Sequence, residues 1–135
     1  MTNLLIASEG VWADVALLLL RIGLFLIFLV HALPKIRKTA EMAMGMGAPK
    51  AIILTLGVAE MVSSVLMLCG FATNIAAIVI SIIMLGAIFM KMFKWNTGFK
   101  ESDKVGWEFD FILLLVAVAI FLTGPGVIAF QSYML

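Results

Sequence analysis

The stretch from residue 11 to residue 35 reads VWADVALLLLRIGLFLIFLVHALPK and is long and apolar enough to cross a lipid bilayer. One charged residue, Arg21, lies near the middle of its apolar run. A charge at the centre of a membrane helix costs about 2.5–3.5 kcal/mol on insertion scales, so Arg21 is expected to have a partner or a function. The next apolar stretch has a single acidic residue, Glu60, also near its middle. The two charges are therefore candidates for an ion pair.

The composition is that of an integral membrane protein. Hydrophobic residues make up 64% of the 135 residues and charged residues only 13%. The formal net charge is +1, and no basic tract indicates a nucleic-acid partner. Cys69 is the only cysteine and His31 the only histidine, which excludes an intrachain disulfide, a four-thiolate metal site and bis-histidine haem ligation within one chain. We expect no metal site and no covalently bound cofactor.

Four apolar segments predict the fold. They cover roughly residues 12–33, 51–68, 75–90 and 107–123, separated by short connections. Residues 1–10 are expected to form a tail, Pro34 to end the first span, and Gly124-Pro125-Gly126 to end the fourth. Residues 39–46 predict a short interfacial helix. The prediction is a single all-α domain over residues 1–135, a transmembrane four-helix bundle with antiparallel neighbours.

The basic residues predict the orientation. Eight of the nine lysines and arginines lie in the loops 34–50 and 91–106, which are on the same side of a four-span protein. The positive-inside rule places these loops in the cytoplasm and both termini outside.

Arg21 and Glu60 are expected at similar depth. Arg21 lies ten residues from His31 and Glu60 ten residues from Lys50, in each case roughly 15 Å of helix from the same side. We therefore predict that the two charges meet. The pair could be a structural clasp that fixes the register of the helices. It could equally be a polar centre that binds a small amphipathic molecule or relays protons.

Several other side chains are candidates for the same polar interior. Arg21, Phe28, His31 and Lys35 share a face of the first span, because they recur at three- and four-residue intervals with Phe25. Glu108 enters from the fourth span. Asp110 lies roughly 200° round that helix, so only one of these two acids can face inward. The predicted polar pocket therefore consists of six residues: Arg21, Phe28, His31, Lys35, Glu60 and Glu108.

Simpler interpretations stay open for individual residues. His31 can be an interfacial histidine bonded to a carboxylate, and Glu108 a capping acid in the first turn of a helix. Cys69 is expected to be an inert thiol. The spacing Met42-x-Met44-x-Met46 resembles copper-binding segments, although lipid-facing methionines explain it as well.

These motifs together resemble the DoxX family of small four-span bacterial membrane proteins. The resemblance covers roughly residues 15–126 and rests on LLRIGLFLIFLVHALPK (19–35), GMGAP (45–49), VAEMVSSVLMLCG (58–70), GWEFDFILL (106–114) and TGPG (123–126). Ala32 stands where the family usually has glycine, Asp110 follows WEF, and Val127 replaces a basic residue after GPG. By position, the family's polar residues correspond to Arg21, His31, Lys35, Glu60 and Glu108.

The resemblance implies a redox function. Some relatives are named subunits of thiosulfate:quinone oxidoreductase, and others are similar to membrane partners of detoxifying enzymes in oxidative or quinone stress. We expect a membrane subunit or accessory of a quinone-linked redox or oxidative-stress system, with quinone as its ligand. Since it lacks haem, thiolate and flavin ligands, its electrons would come from a soluble or membrane redox partner or from a soluble substrate. A second copy of the chain is a further expected partner. The alternatives are a proton-coupled carrier of a small solute and a non-catalytic membrane anchor.

Overall fold

The protein is helical throughout the described part of the chain. The computed structural model describes the backbone of residues 2–133 and the side chains of residues 10–132. It contains five α-helices: α1 (Thr2–Arg37), α2 (Thr39–Met46), α3 (Lys50–Cys69), α4 (Thr73–Phe89) and α5 (Glu108–Thr123). A π-helical turn, Met90–Lys94, extends α4, and a 3₁₀ turn covers Phe130–Tyr133. Residues 2–133 contain no strand, which confirms the all-α prediction.

The first helix is longer than predicted at both ends. Residues 2–10, expected to form a tail, belong to α1, while residue 1 lies outside the described residues. Pro34, expected to end the span, lies inside the helix, and α1 continues to Arg37. Proline removes one backbone N–H, but its own carbonyl still accepts the N–H of Lys38 at 2.8 Å. Apolar helices tolerate such a proline where neighbouring elements satisfy the freed backbone groups.

The other helices begin and end within two residues of the predicted spans, and α2 coincides with the short helix predicted at 39–46. Three helical segments among the described residues are long and apolar enough to cross a membrane, namely Gly10–Arg37, Lys50–Cys69 and Thr73–Lys94. Helix α5 has 16 residues. It is therefore roughly 24 Å long, against about 30 Å of hydrocarbon in a bilayer. That α5 crosses the membrane, and that residues 1–135 form a single transmembrane domain, are therefore still predictions.

The four long helices pack against one another in the order in which they occur in the chain. Helix α1 lies along α3, α3 against α4, and α4 against α5, whereas the backbones of α1 and α5 stay further apart. Leu24 and Phe28 of α1 therefore reach the α4–α5 core by their side chains. The loop end of the molecule comprises residues 34–50 and 90–107. The turn end comprises residues 69–73 and 124–132. Buried charged side chains lie towards both ends.

Candidate functional site

A buried ion pair joins α1 to α3 at the loop end. Lys35 Nζ lies 2.5 Å from Glu60 Oε1, and the two side chains are 11% and 2% exposed. Glu60 faces inward because it shares the buried face of α3, where residues recur every three or four positions: Ile53, Gly57, Glu60, Ser64 and Met67. The attraction between the two charges thus offsets the free-energy cost of removing each of them from water.

Gly57 sets the distance between α1 and α3 beside this pair. A Cβ atom at position 57 would lie 2.8 Å from Lys35 Cβ and 3.1 Å from Ile36 Cγ1. Real Cβ contacts are longer, so only glycine allows this approach of the two helices. Lys35 therefore lies level with Gly57 and extends about one turn along α3 to reach Glu60.

The second carboxylate oxygen of Glu60 has no partner. Oε2 is buried and accepts no hydrogen bond from any described residue, although Oε1 accepts one from Lys35. A buried acceptor left without a donor costs about 1–3 kcal/mol, and more when it is charged. This oxygen is therefore a position where a bound donor would be stabilised.

A second ion pair joins the extension of α4 to α5. Lys91 Nζ lies 2.6 Å from Asp110 Oδ2, with the side chains 18% and 10% exposed. The two atoms are within ion-pair distance, although their angle is not that of a hydrogen bond. Lys91 also donates to the carbonyl of Gly106 at 3.2 Å. Each of the two helix pairs, α1 with α3 and α4 with α5, thus contains one lysine–carboxylate pair.

His31 of α1 has its ring beside α5. Its side chain is exposed, one turn before Lys35 on α1, and its ring centroid lies 6.0 Å from that of Phe109, the residue before Asp110 on α5. We call these five residues the ion-pair cluster: His31, Lys35, Glu60, Lys91 and Asp110. The cluster combines buried charges with one ionisable ring that is accessible from outside.

Arg21 lies at the opposite end, and its hydrogen bonds within the described residues are all to backbone carbonyls. Its Nε donates to Met67 O at 2.8 Å and its Nη2 to Leu68 O at 2.7 Å, both in the last turn of α3. Its Nη1 donates to Pro125 O at 3.0 Å and to Ile128 O at 2.7 Å. A cation at the C-terminus of a helix is stabilised by the helix dipole, and the carbonyls replace the water that Arg21 has lost.

Gly70 makes room for this arrangement. It ends α3 in the left-handed conformation with φ 67°, where the N–H of Gly70 and that of Phe71 bond back to Met67 and Leu66. A Cβ atom at position 70 would collide with Arg21 Nη2 and with Ala129. The C-terminal segment is held here too, since Gln131 N–H donates to Gly70 O at 3.0 Å. We call Arg21, Gly70 and the carbonyls that Arg21 binds the arginine clasp.

The predicted Arg21–Glu60 ion pair is wrong. Glu60 binds Lys35, and Arg21 binds carbonyls at the far end of α3. The depth estimate took His31 and Lys50 as level, whereas α1 continues past Pro34 and brings Lys35 level with Gly57. Arg21 lies about four turns back along α1 and so reaches the last turn of α3.

The other predicted site residues separate. Phe28 is 2% exposed within the apolar core. Glu108 is half-buried in the first turn of α5, outside the ion-pair cluster. The inward-facing acid is Asp110, which sequence reasoning left open, and Lys91 was not proposed at all. The sequence of α5 could have identified Asp110 as the inward-facing acid, because it recurs at helical spacing with the buried residues Leu113, Ala117 and Ile120.

Neither the methionines of α2 nor Cys69 belongs to a metal site within the described residues. Within the described residues, no group of three or more histidine, cysteine, aspartate or glutamate side chains could hold a metal ion. In α2, Met44 is 77% exposed and lies two residues from both Met42 and Met46, on the other side of the helix. The three thioethers therefore do not converge. Cys69 is an exposed free thiol at the end of α3.

Comparisons with known proteins agree on one family. The family model described as DoxX matches residues 16–95, a range that includes Lys35, Glu60 and Lys91. A protein of Bacillus subtilis (strain 168) named "Putative oxidoreductase CatD" is 28% identical over 123 residues, covering 89% of this chain and 87% of the relative. No solved structure matches the chain.

Proposed function

The chain belongs to the DoxX family, and from this premise we propose that it is a membrane subunit or accessory of a quinone-linked redox or oxidative-stress system. The similarity to a protein named as an oxidoreductase supports a redox role. The quinone would bind at the ion-pair cluster. Electrons would come from a soluble or membrane-bound partner, since the described residues offer no metal cluster of their own.

The observation that carries this proposal is the unpartnered oxygen of Glu60 beside an accessible histidine. Quinone and quinol are flat amphipathic rings with two oxygen functions, and they diffuse within the membrane. The buried charges at Lys35 and Glu60 offer a hydrogen-bond donor and an acceptor, and Phe109 beside His31 offers an aromatic surface. The cluster can thus orient such a ring and exchange protons with it.

Removing the Lys35–Glu60 pair tests the proposal. Replacing both partners by apolar residues of similar volume is often neutral for stability, so a Lys35→Met/Glu60→Leu variant should fold. We expect gentle purification of the wild type to retain quinone, oxidised or reduced, detectable by mass spectrometry, and the variant to lose it. Glu108→Gln, on α5 but outside the cluster, is the matched control and should retain it. Absence of quinone and of any redox partner from the wild type would contradict the proposal.

A proton-coupled carrier is the second candidate. The observation that favours it is that each of two helix pairs contributes one buried lysine–carboxylate pair to the same end of the molecule. Repeated units that share a central polar site are typical of secondary carriers. This function requires solute uptake into liposomes that depends on a pH gradient and is lost in Glu60→Gln. Uptake without such dependence would exclude it.

The proposed location is the bacterial inner membrane, with both termini outside. Eight of nine basic residues lie in the loops at the loop end, which the positive-inside rule places in the cytoplasm. The ion-pair cluster would then extend from the middle of the membrane, at Glu60, towards the cytoplasmic face, with Lys35 and Lys91 on the side that a soluble partner can reach. A reporter fused to the C-terminus should be active only outside the cytoplasm. Cytoplasmic activity of that reporter would contradict the orientation.

A further inference from the structure

The ion-pair cluster contains a feature that distinguishes between the two redox states of its ligand. Resting on the proposed quinone-linked function, we infer that the cluster binds the reduced, hydroxyl-bearing quinol in preference to the oxidised quinone. The discriminating atom is Glu60 Oε2, which is buried and accepts no hydrogen bond from any described residue.

The donors of the cluster do not discriminate between the two forms. Lys35 Nζ uses one N–H on Glu60 Oε1, and its remaining N–H groups can donate to the oxygen of either form. A quinone carbonyl and a quinol hydroxyl are both acceptors. Lys91, which is occupied by Asp110 and Gly106, can donate to either form in the same way.

The acceptor does discriminate. Glu60 Oε2 can only accept, and a quinone has no O–H or N–H to donate. A quinol hydroxyl can accept from Lys35 and donate to Oε2 in the same position. A hydrogen bond to a charged group adds substantially to affinity, whereas a carbonyl placed against a carboxylate oxygen is repelled. The buried oxygen therefore favours the reduced form.

The route to this oxygen passes the exposed edge of the cluster. Glu60 is 2% exposed, so a ligand must displace a side chain to reach Oε2. His31 is exposed and its ring lies beside Phe109 of α5, so we place the entry of the ligand at the seam between α1 and α5. An aromatic ring that enters at this seam would replace the contact between His31 and Phe109.

The test compares the two redox forms on the full chain in lipid nanodiscs. Decylubiquinol, kept reduced under argon, and decylubiquinone are titrated separately, and partition into empty nanodiscs is subtracted from each. We expect the wild type to bind the quinol at least about tenfold more tightly than the quinone. This measurement needs no variant, so it does not depend on the folding of a mutant.

Glu60→Gln then tests the atom itself. With its amide oxygen on Lys35, glutamine places an N–H donor where Oε2 was, and this donor suits the oxygen of either form. The affinity ratio should fall to about one, a change that loss of a purely structural residue would not produce. Glu108→Gln should keep the wild-type ratio. Equal affinities in the wild type, or an unchanged ratio in Glu60→Gln, would overturn the inference while the proposed function stands. Failure of the wild type to bind either form would contradict both.

Discussion

The two ends of the molecule each bury charge, but they satisfy it differently. At the turn end, Arg21 donates four hydrogen bonds to carbonyl oxygens, and no carboxylate of the described residues takes part. Towards the loop end, Lys35 and Glu60 neutralise each other, and one oxygen of Glu60 accepts no hydrogen bond from any described residue. The arginine clasp thus joins three segments of the chain through hydrogen bonds to the backbone. The ion-pair cluster keeps a buried acceptor without a donor, which is why we propose it as the ligand site.

The chemistry of the two side chains explains the contrast. A guanidinium group has five N–H donors in a rigid plane and can bridge several carbonyls of different segments. It therefore joins α1, the end of α3 and the C-terminal segment without an acid. A carboxylate only accepts hydrogen bonds, and one lysine satisfies one of its oxygens. Variants at four positions should lower the stability of the protein by different amounts, from the arginine clasp with the largest effect to Asp110 with the smallest.

Removing the arginine clasp should have the largest effect on stability. In Arg21→Met, four carbonyl oxygens lose their donor at once, one of them buried and three partly buried, which should lower the free energy of unfolding by about 3 kcal/mol. Unfolding by SDS in mixed micelles, followed by circular dichroism, measures the loss. Arg21→Lys should recover only part of the stability, because an ammonium group cannot reach all four oxygens. A stable Arg21→Met variant would show that the clasp is dispensable.

Breaking the ion pair on one side should come next. Lys35→Met leaves the Glu60 carboxylate buried without its cation, which should cost about 3 kcal/mol. The same unfolding assay should show most of that stability restored in Lys35→Met/Glu60→Leu, where no charge remains. This pattern would identify the pair as mutually compensating. If the double variant were less stable than the single one, the pair would instead be a net structural contribution like the clasp.

The close approach of α1 and α3 should be sensitive to a single methyl group. Gly57→Ala places a Cβ atom against Lys35 and Ile36, and overpacking of this kind costs about 1–3 kcal/mol. Gly86→Ala is the matched control, since a Cβ atom at position 86 has open space around it and the backbone is helical. That variant should be as stable as the wild type or slightly more stable. Thermal melting in detergent distinguishes the two.

The two acids of α5 should differ by a smaller amount. Asp110→Asn weakens the contact with Lys91 and should cost about 1 kcal/mol. Glu108→Gln should change stability by less than about 0.5 kcal/mol, because Glu108 is half-buried and forms no ion pair within the described residues. Equal effects at positions 108 and 110 would contradict the assignment of Asp110 to the cluster.

Much of the helical architecture could be predicted from the sequence. Apolar runs of membrane length, and glycine or proline at their ends, fix helices α3, α4 and α5 to within two residues. The exception is Pro34, where local propensity favours a helix end and the apolar surroundings allow the helix to continue. Because α1 continues to Arg37 and packs Lys35 against Gly57, the assumption that His31 and Lys50 lie at the same level is wrong.

The site was predicted only in part for the same reason. Lys35 and Glu60 were both candidates, and the structure pairs them with each other, because the partners of such residues depend on the register between helices. That register is set by Gly57, whose role is a tertiary contact with no pattern in the sequence. The carbonyls that bind Arg21 are backbone groups, which no search for charged partners would find.

Binding of decylubiquinol to three proteins in nanodiscs tests the contrast between the two ends most directly. The wild type and a folded Arg21→Lys variant should bind with the same affinity, because the clasp lies away from the ligand. Lys35→Met/Glu60→Leu should fold but bind at least about tenfold more weakly, since it lacks the acceptor and its cation. Wild-type affinity in the double variant, or lost binding in folded Arg21→Lys alone, would contradict the assignment of the ion-pair cluster as the functional site.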